Sequence, residues 1–208
     1  MELIKRLKLL EQSKISEVIR KRIKEFEKTG RSSPEKIFSE LCFCILTANF
    51  SAERGIKIQR ELENEFLIAN EKRLAKMLKN LGYRYPNTRA RYIVEARKKL
   101  SELMKILRDK TKNEPEIREW LVKNVKGLGY KEASHFLRNI GFKNIAVIDF
   151  HVLDVLEKYR LAEKPGALTR KKYLEIENVL RGLAERLSIS LAELDLYLWY
   201  METGKVLK

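Results

Sequence analysis

The stretch Val125-Lys126-Gly127-Leu128-Gly129-Tyr130-Lys131-Glu132-Ala133-Ser134-His135-Phe136-Leu137-Arg138-Asn139-Ile140-Gly141 decides how this chain is read. Helical periodicity precedes it, restarted by Pro115 and running from Glu116 to Asn124, and helical periodicity resumes at Tyr130. Only a few residues centred on Gly127-Leu128-Gly129 separate the two, so two helices meet across a very tight hinge. The glycines permit positive φ and let a foreign backbone approach closely, while Leu128 can plug the gap between the helices. Free N–H groups at the start of the helix from Tyr130, reinforced by the helix dipole, form an anion site that suits a phosphate. An ordinary helical hairpin with a glycine cap would present the same residues.

Outward from the hairpin, nearly every segment shows helical spacing and none shows sustained alternation, which predicts an all-α chain. Helices are expected over Glu2 to Leu10, Ser16 to Lys28, Ser51 to about Leu67, Glu71 to Leu81 and, opened by Thr88, one long helix to roughly Lys110. Ser33 before Pro34 gives an N-cap and first-turn proline to a helix that carries Ile37, Leu41, Cys44, Ile45 and Ala48 on one face. Gly82 to Asn87 reads as a loop. Asp149, Thr169 and Ser190 each cap a later helix, ending near Lys158, Leu187 and Thr203. With no repeat, low-complexity tract or long linker, any two helical subdomains must be packed closely together.

Lys and Arg number 44 against 29 Asp and Glu, a net charge of +15 that points to a polyanionic partner, nucleic acid ahead of anionic membrane. No run approaches the roughly 20 apolar residues that span a bilayer, and the opening MELIKRLKLLEQ lacks a secretory pattern. A cytoplasmic place with the chromosome is therefore expected, and a monomer. The two cysteines, Cys42 and Cys44, lie in an apolar helix-like run and read as small buried hydrophobes. Neither metal nor other cofactor is expected.

The hairpin Val125-Lys126-Gly127-Leu128-Gly129-Tyr130-Lys131 is followed by Val147-Ile148-Asp149-Phe150-His151-Val152, with Asp149 18 residues after Lys131. Together these resemble the helix-hairpin-helix DNA glycosylase superfamily. The end of the chain, Trp199-Tyr200-Met201-Glu202-Thr203-Gly204-Lys205-Val206-Leu207-Lys208, resembles within it the small archaeal-type 8-oxoguanine DNA glycosylase/AP lyases. The endonuclease III branch usually ends in four cysteines that hold an iron–sulfur cluster, and this chain has no cysteine after Cys44. The resemblance covers nearly the whole chain as one glycosylase unit, 1–208. Its hairpin motif spans about 116–141 and its catalytic aspartate segment 145–158. It implies two packed helical subdomains with an active-site cleft between them, and a partner that is double-stranded DNA containing oxidised guanine.

A lysine in the first turn of a helix faces the positive end of the dipole, and with partial desolvation its ammonium form is disfavoured, which frees an amine to attack. The resemblance implies that Lys131 adds to the sugar C1′, displaces the oxidised base and leaves a Schiff base that permits β-elimination of the 3′-phosphate. Asp149, favoured as a carboxylate by backbone N–H groups at its helix start, would stabilise the oxocarbenium-like transition state or orient the nucleophile. Simple helix capping is its alternative role.

Such an enzyme must extrude a nucleotide, fill the hole and grip the strand. Asn49, at the end of Leu46-Thr47-Ala48-Asn49-Phe50, is the candidate filler, or else a helix C-cap. In Gly82-Tyr83-Arg84-Tyr85-Pro86-Asn87-Thr88-Arg89-Ala90-Arg91-Tyr92, Tyr85 can wedge beside the estranged base, Arg89 and Arg91 can meet phosphates, and Tyr92 belongs to the core. Gly127 and Gly129 contribute hairpin amides. By resemblance His151 contacts a phosphate and Trp199 stacks on the flipped purine, with His135, one turn beyond Lys131, across the pocket. Lys208 and a terminal carboxylate are candidates for reading the lesion, since 8-oxoguanine carries a donor at N7 where guanine has an acceptor. Trp199 could instead anchor the last helix, and Lys208 could be a frayed tail. Two other readings stay open: a lyase-competent glycosylase for another oxidised base, and a non-catalytic module that only binds phosphates.

Overall fold

A computed structural model describes residues 2–48 and 50–208, so Asn49, the candidate filler, lies outside the described residues. Among these residues the chain folds into thirteen helices and no strand. Two apolar cores organise them. The first is built on α3 (Pro34–Thr47), in which every residue from Ile37 to Thr47 is buried. Each fully buried large apolar side chain there contributes about 1.5–3 kcal/mol relative to exposure. Ser33 caps this helix by accepting the Lys36 N–H at 3.4 Å, and Cys42 and Cys44 sit deep within it, where burial pushes both thiols well above their ordinary range. Around α3 pack α4 (Ala52–Leu62), α5 (Glu65–Ile68), α6 (Glu71–Asn80), α7 (Pro86–Lys98), α8 (Leu100–Arg108), α9 (Glu114–Asn124) and α10 (Tyr130–Asn139).

The second core gathers the two ends of the chain: α1 (Glu2–Glu11), α2 (Ile15–Gly30), α11 (Phe150–Lys158), α12 (Arg170–Leu187) and α13 (Leu191–Thr203). Thr169 and Ser190 cap α12 and α13 as their positions suggest, accepting the N–H groups of Lys172 and Glu193. Helix α10 touches both cores, packing on α3 and α9 on one side and on α2 on the other. The crossing with α2 is close: a Cβ on Gly30 would lie 2.0 Å from the carbonyl oxygen of Ile140, so only glycine lets α2 end against the tail of α10. No helix among the described residues is long and apolar enough to cross a membrane.

Two expected helices are each divided. The segment from Ser51 breaks after Leu62, and Ser51 makes no side-chain cap. The guanidinium of Arg97 reaches across from α7 to donate to the carbonyls of Phe66 and Ala69 at 2.7 and 2.9 Å, which holds the end of α5 where no glycine or proline stands. The long helix expected from Thr88 starts two residues earlier, at Pro86, and breaks at Lys99, whose N–H turns back to the carbonyls of Ala96 and Arg97. Neither break carries a glycine or proline that would mark it in the sequence.

Candidate active site

The hairpin between α9 and α10 is tight because Gly127 adopts φ +89°, and a Cβ there would come within 2.6 Å of the Tyr92 ring. Gly129 differs from expectation: it is extended, at φ −90° and ψ −171°, and needs no left-handed conformation. Its N–H is already engaged by the Glu132 carboxylate at 3.1 Å, so an arriving phosphate would compete with this side chain for that donor. Leu128 is buried in the turn as a plug. Lys131 follows in the first turn of α10, its side chain 27% exposed and 3.9 Å from Glu132.

Asp149 stands at the other end of an irregular segment whose backbone is fixed by α12. Glu177 accepts the N–H of Ala146 at 2.8 Å, while the Tyr173 hydroxyl donates to the Ala146 carbonyl at 2.7 Å and accepts the Ile148 N–H at 3.2 Å. Burial pushes that Tyr173 phenol above its ordinary range, so it remains a neutral donor. Arg118 on α9 grips Glu177 through two contacts, 2.7 and 2.8 Å. The chain therefore enters α11 in one place, and Asp149 caps that helix by accepting the Val152 N–H at 3.0 Å. Capping and cleft placement coexist in one carboxylate.

One cleft between the two cores receives Lys131, His135, Asp149, Trp199 and Lys208 together. His135 is 7% exposed, and among the described residues neither ring nitrogen has a hydrogen-bond partner; the Lys208 backbone comes near without adopting hydrogen-bond geometry. Burial holds the imidazole well below its ordinary range, so it is neutral at physiological pH. The Trp199 Nε1 is likewise buried and unpartnered. Lys208 is no frayed tail: its ammonium donates to Glu40 at 2.7 Å and to Gln59, and lies 4.5 Å from the centre of the Phe43 ring.

His151, expected at a phosphate, has its ring between those of Phe150 and Trp199, at centroid distances of 3.9 and 4.5 Å. Tyr85 sits at the start of α7 with 54% exposure, on a groove shared with Arg89, Tyr92, Gly127 and Gly129. The groove is separate from the cleft in its lining residues, and it joins the aromatic loop to the hairpin. Arg89 also reaches the Ala48 carbonyl at 3.5 Å. Arg91 is exposed beside Tyr92 and lines neither groove nor cleft.

Sequence reasoning missed Arg138 and Asp195, which pair side chain to side chain in the cleft wall. Burial pushes the Asp195 carboxyl up to about 6; Arg138 opposes the shift, Asp149 adds to it and Lys131 opposes it. A signal existed: Asp195 is the one charge in the apolar run Leu194 to Met201, four residues before Trp199 and on its face. Phe50 and Phe150, which also line the cleft, were missed as well.

A lysine just past a glycine hairpin, sharing a cleft with an N-capping aspartate between two helical cores, defines a protein of the helix-hairpin-helix class. The family described as 8-oxoguanine DNA glycosylase matches residues 19–189, and the chain belongs to that family. An 8-oxoguanine DNA glycosylase/AP lyase of Korarchaeum cryptofilum is 54% identical, with 100% of this chain and 98% of that protein covered. A crystal structure of the Methanocaldococcus jannaschii 8-oxoguanine glycosylase/lyase, in complex with a 15mer DNA containing 8-oxoguanine, is similar with a TM-score of 0.95 and 50% identity, covering 100% of both chains. The 8-oxoguanine DNA glycosylase of Thermotoga maritima gives a TM-score of 0.92 at 42% identity, covering 100% of this chain and 99% of that one.

Proposed function

We infer that this chain excises 8-oxoguanine from double-stranded DNA and then nicks the strand at the abasic site. It would work as one monomeric unit beside the chromosome. The observation that carries the reading is the shared cleft: Lys131 from the start of α10 and Asp149 from the cap of α11 line the same cavity, which also presents a half-buried tryptophan. Family membership and the DNA complex of the Methanocaldococcus jannaschii relative support it.

In this reading the Lys131 amine bonds to C1′ as the glycosidic bond breaks, and the electron pair of that bond leaves with the base. Asp149 stabilises the positive charge that develops on the sugar. Loss of a proton and ring opening give a Schiff base, which acidifies C2′–H. Departure of that proton expels the 3′-phosphate by β-elimination, a step that a water nucleophile cannot provide. Trp199 would stack on the flipped purine and His135 and Lys208 would face its edge. Gly127, Gly129 and Arg89 would hold phosphates and Tyr85 would wedge into the duplex beside the vacated stack. The position of His151 between two rings supports a role in orienting Trp199 over direct phosphate contact.

Borohydride trapping tests this. Protein incubated with an 8-oxoguanine duplex and reductant should form a covalent adduct that disappears in Lys131→Gln. A wild-type protein that binds the duplex but yields no adduct would make it a phosphate-binding module only.

A further inference from the structure

Behind the cleft runs a continuous chain of buried polar side chains. It starts at Lys208, passes to Glu40, then to Asn139, to Arg138 and ends at Asp195. The Lys208 ammonium donates to Glu40 Oε2 at 2.7 Å; the Asn139 amide donates to Glu40 Oε1 at 2.7 Å; Arg138 Nε and Nη2 donate to Asn139 Oδ1 at 3.1 and 2.8 Å; and Arg138 Nη1 donates to Asp195. Gln59 braces the start by donating to Glu40 Oε2 at 3.1 Å and accepting from Lys208. Charges alternate along the chain, and Glu40, Asn139, Arg138 and Asp195 are all under 9% exposed. Lys208, Arg138 and Asp195 line the cleft, whereas Glu40 and Asn139 do not: they face a second cavity on the far side of Leu207 and Lys208.

We propose that Glu40 is a positioning residue for base excision: by gathering Lys208, Gln59 and Asn139 onto one buried carboxylate it fixes the wall against which the flipped base is held. Four parts of the fold meet at this group, namely α3, α4, α10 and the segment after α13. Without its charge, the Lys208 ammonium would be left in a buried place with one amide oxygen, and such a cation moves to water when it can. Leu207 and Lys208 would move together, and the partition between the cleft and the second cavity would go with them. Glu40 touches neither Lys131 nor Asp149, so the attacking amine and its carboxylate stay in place.

This inference rests on the base-excision reading, and it separates two activities of one site. Excision needs the base held; nicking of a preformed abasic duplex has no base to hold. Glu40→Gln keeps the size of the side chain but turns an acceptor into a donor that faces other donors. Single-turnover excision from an 8-oxoguanine duplex should fall by about tenfold or more, the factor produced by losing about 1.4 kcal/mol of transition-state stabilisation. Abasic-site nicking should stay within about twofold of wild type, and Glu40→Asp should restore part of the excision rate because it keeps the charge. Unchanged excision in Glu40→Gln would overturn the proposal, and so would an equal fall in both activities, which marks general unfolding. If Glu40→Gln does not fold, the same pair of assays on Glu40→Asp decides: loss confined to excision supports the assignment and parallel loss overturns it. Wild-type protein that cuts neither substrate would instead remove the excision reading on which this one stands.

Discussion

Arg118 and Arg138 are both buried arginines paired with carboxylates, yet they serve their surroundings differently. Around Arg118 the polar groups close on one another: Glu177 takes two guanidinium donors and a backbone N–H, Ser134 accepts a third contact at 3.2 Å, and the rings of Tyr130 and Tyr173 cover the cation at 5.2 and 5.4 Å. Around Arg138 the network opens onto the cleft. Six buried side-chain atoms among the described residues lack a partner: three belong to His135 and Trp199, in the same wall as Arg138, while the Arg118 region leaves only Arg118 Nε unpaired. A buried group without a partner costs about 1–3 kcal/mol, so their concentration at one wall marks where a ligand is to supply the missing contacts. One region uses its hydrogen bonds to fix backbone, the other holds some in reserve.

The largest expected effect breaks the closed region. Glu177→Ala strips Arg118 of its counter-ion in a place 1% exposed and frees the backbone ahead of Asp149. Stability should fall by about 3–5 kcal/mol, read as a lowered denaturant midpoint with an unchanged slope. A fall under about 1 kcal/mol would mean that water reaches Arg118, and the contrast with Arg138 would vanish.

What could be read in the sequence follows the same division between local and distant causes. Helix starts were legible at Ser33, Asp149, Thr169 and Ser190 because a capping side chain satisfies N–H groups two or three residues on. Lys131 and Asp149 stood out for a related reason, one in the first turn and the other at the N-cap of a helix beside a recognisable break, within motifs that carry the family resemblance. The breaks at Glu63 and Lys99 were not legible, since neither carries a glycine or proline, and the end of α5 is held by Arg97 from some thirty residues away. Glu40 and Asp195 look like lone charges in the apolar runs Ile37 to Thr47 and Leu194 to Met201 until the fold supplies Lys208, Asn139 and Arg138 from more than fifty residues off. The phosphate role expected of His151 came from the resemblance, and nothing in the sequence signals that its ring meets those of Phe150 and Trp199.

A second test sharpens the contrast through pH. Burial raises the Asp195 carboxyl to about 6 in the folded protein, above its ordinary 3.8, so the native state holds this proton more tightly than the unfolded chain does. The stability contributed by that proton is fully present below about pH 4 and is lost as pH rises through about 6. A difference of this size corresponds to something on the order of 2–3 kcal/mol. Asp195→Asn cannot titrate, so its unfolding free energy should lose that downward slope between pH 4 and 6, whatever the absolute stability of the variant. Parallel profiles for variant and wild type would show that Arg138 holds the carboxylate ionised, as a closed pair would.

The smallest effect is the most discriminating, because its sign is opposite for the two regions. Removing polar groups around Arg118 exposes partners that depended on them; His135 has no such partners among the described residues, and its neutral ring is buried against Phe43 with centroids 5.5 Å apart. His135→Leu replaces two unpaired nitrogens by apolar surface of similar bulk, and the free protein should gain about 1 kcal/mol, or roughly 2–4 °C in melting temperature for a chain of this size. The same change takes a polar side chain out of the cleft lining, so in the proposed function excision of 8-oxoguanine should fall while nicking of an abasic duplex persists. Stability would then rise at the expense of activity, as expected where a site keeps its hydrogen bonds for a substrate. A lower melting temperature would show instead that ordered water satisfies the imidazole in the free protein, and the wall of Arg138 would be as closed as that of Arg118.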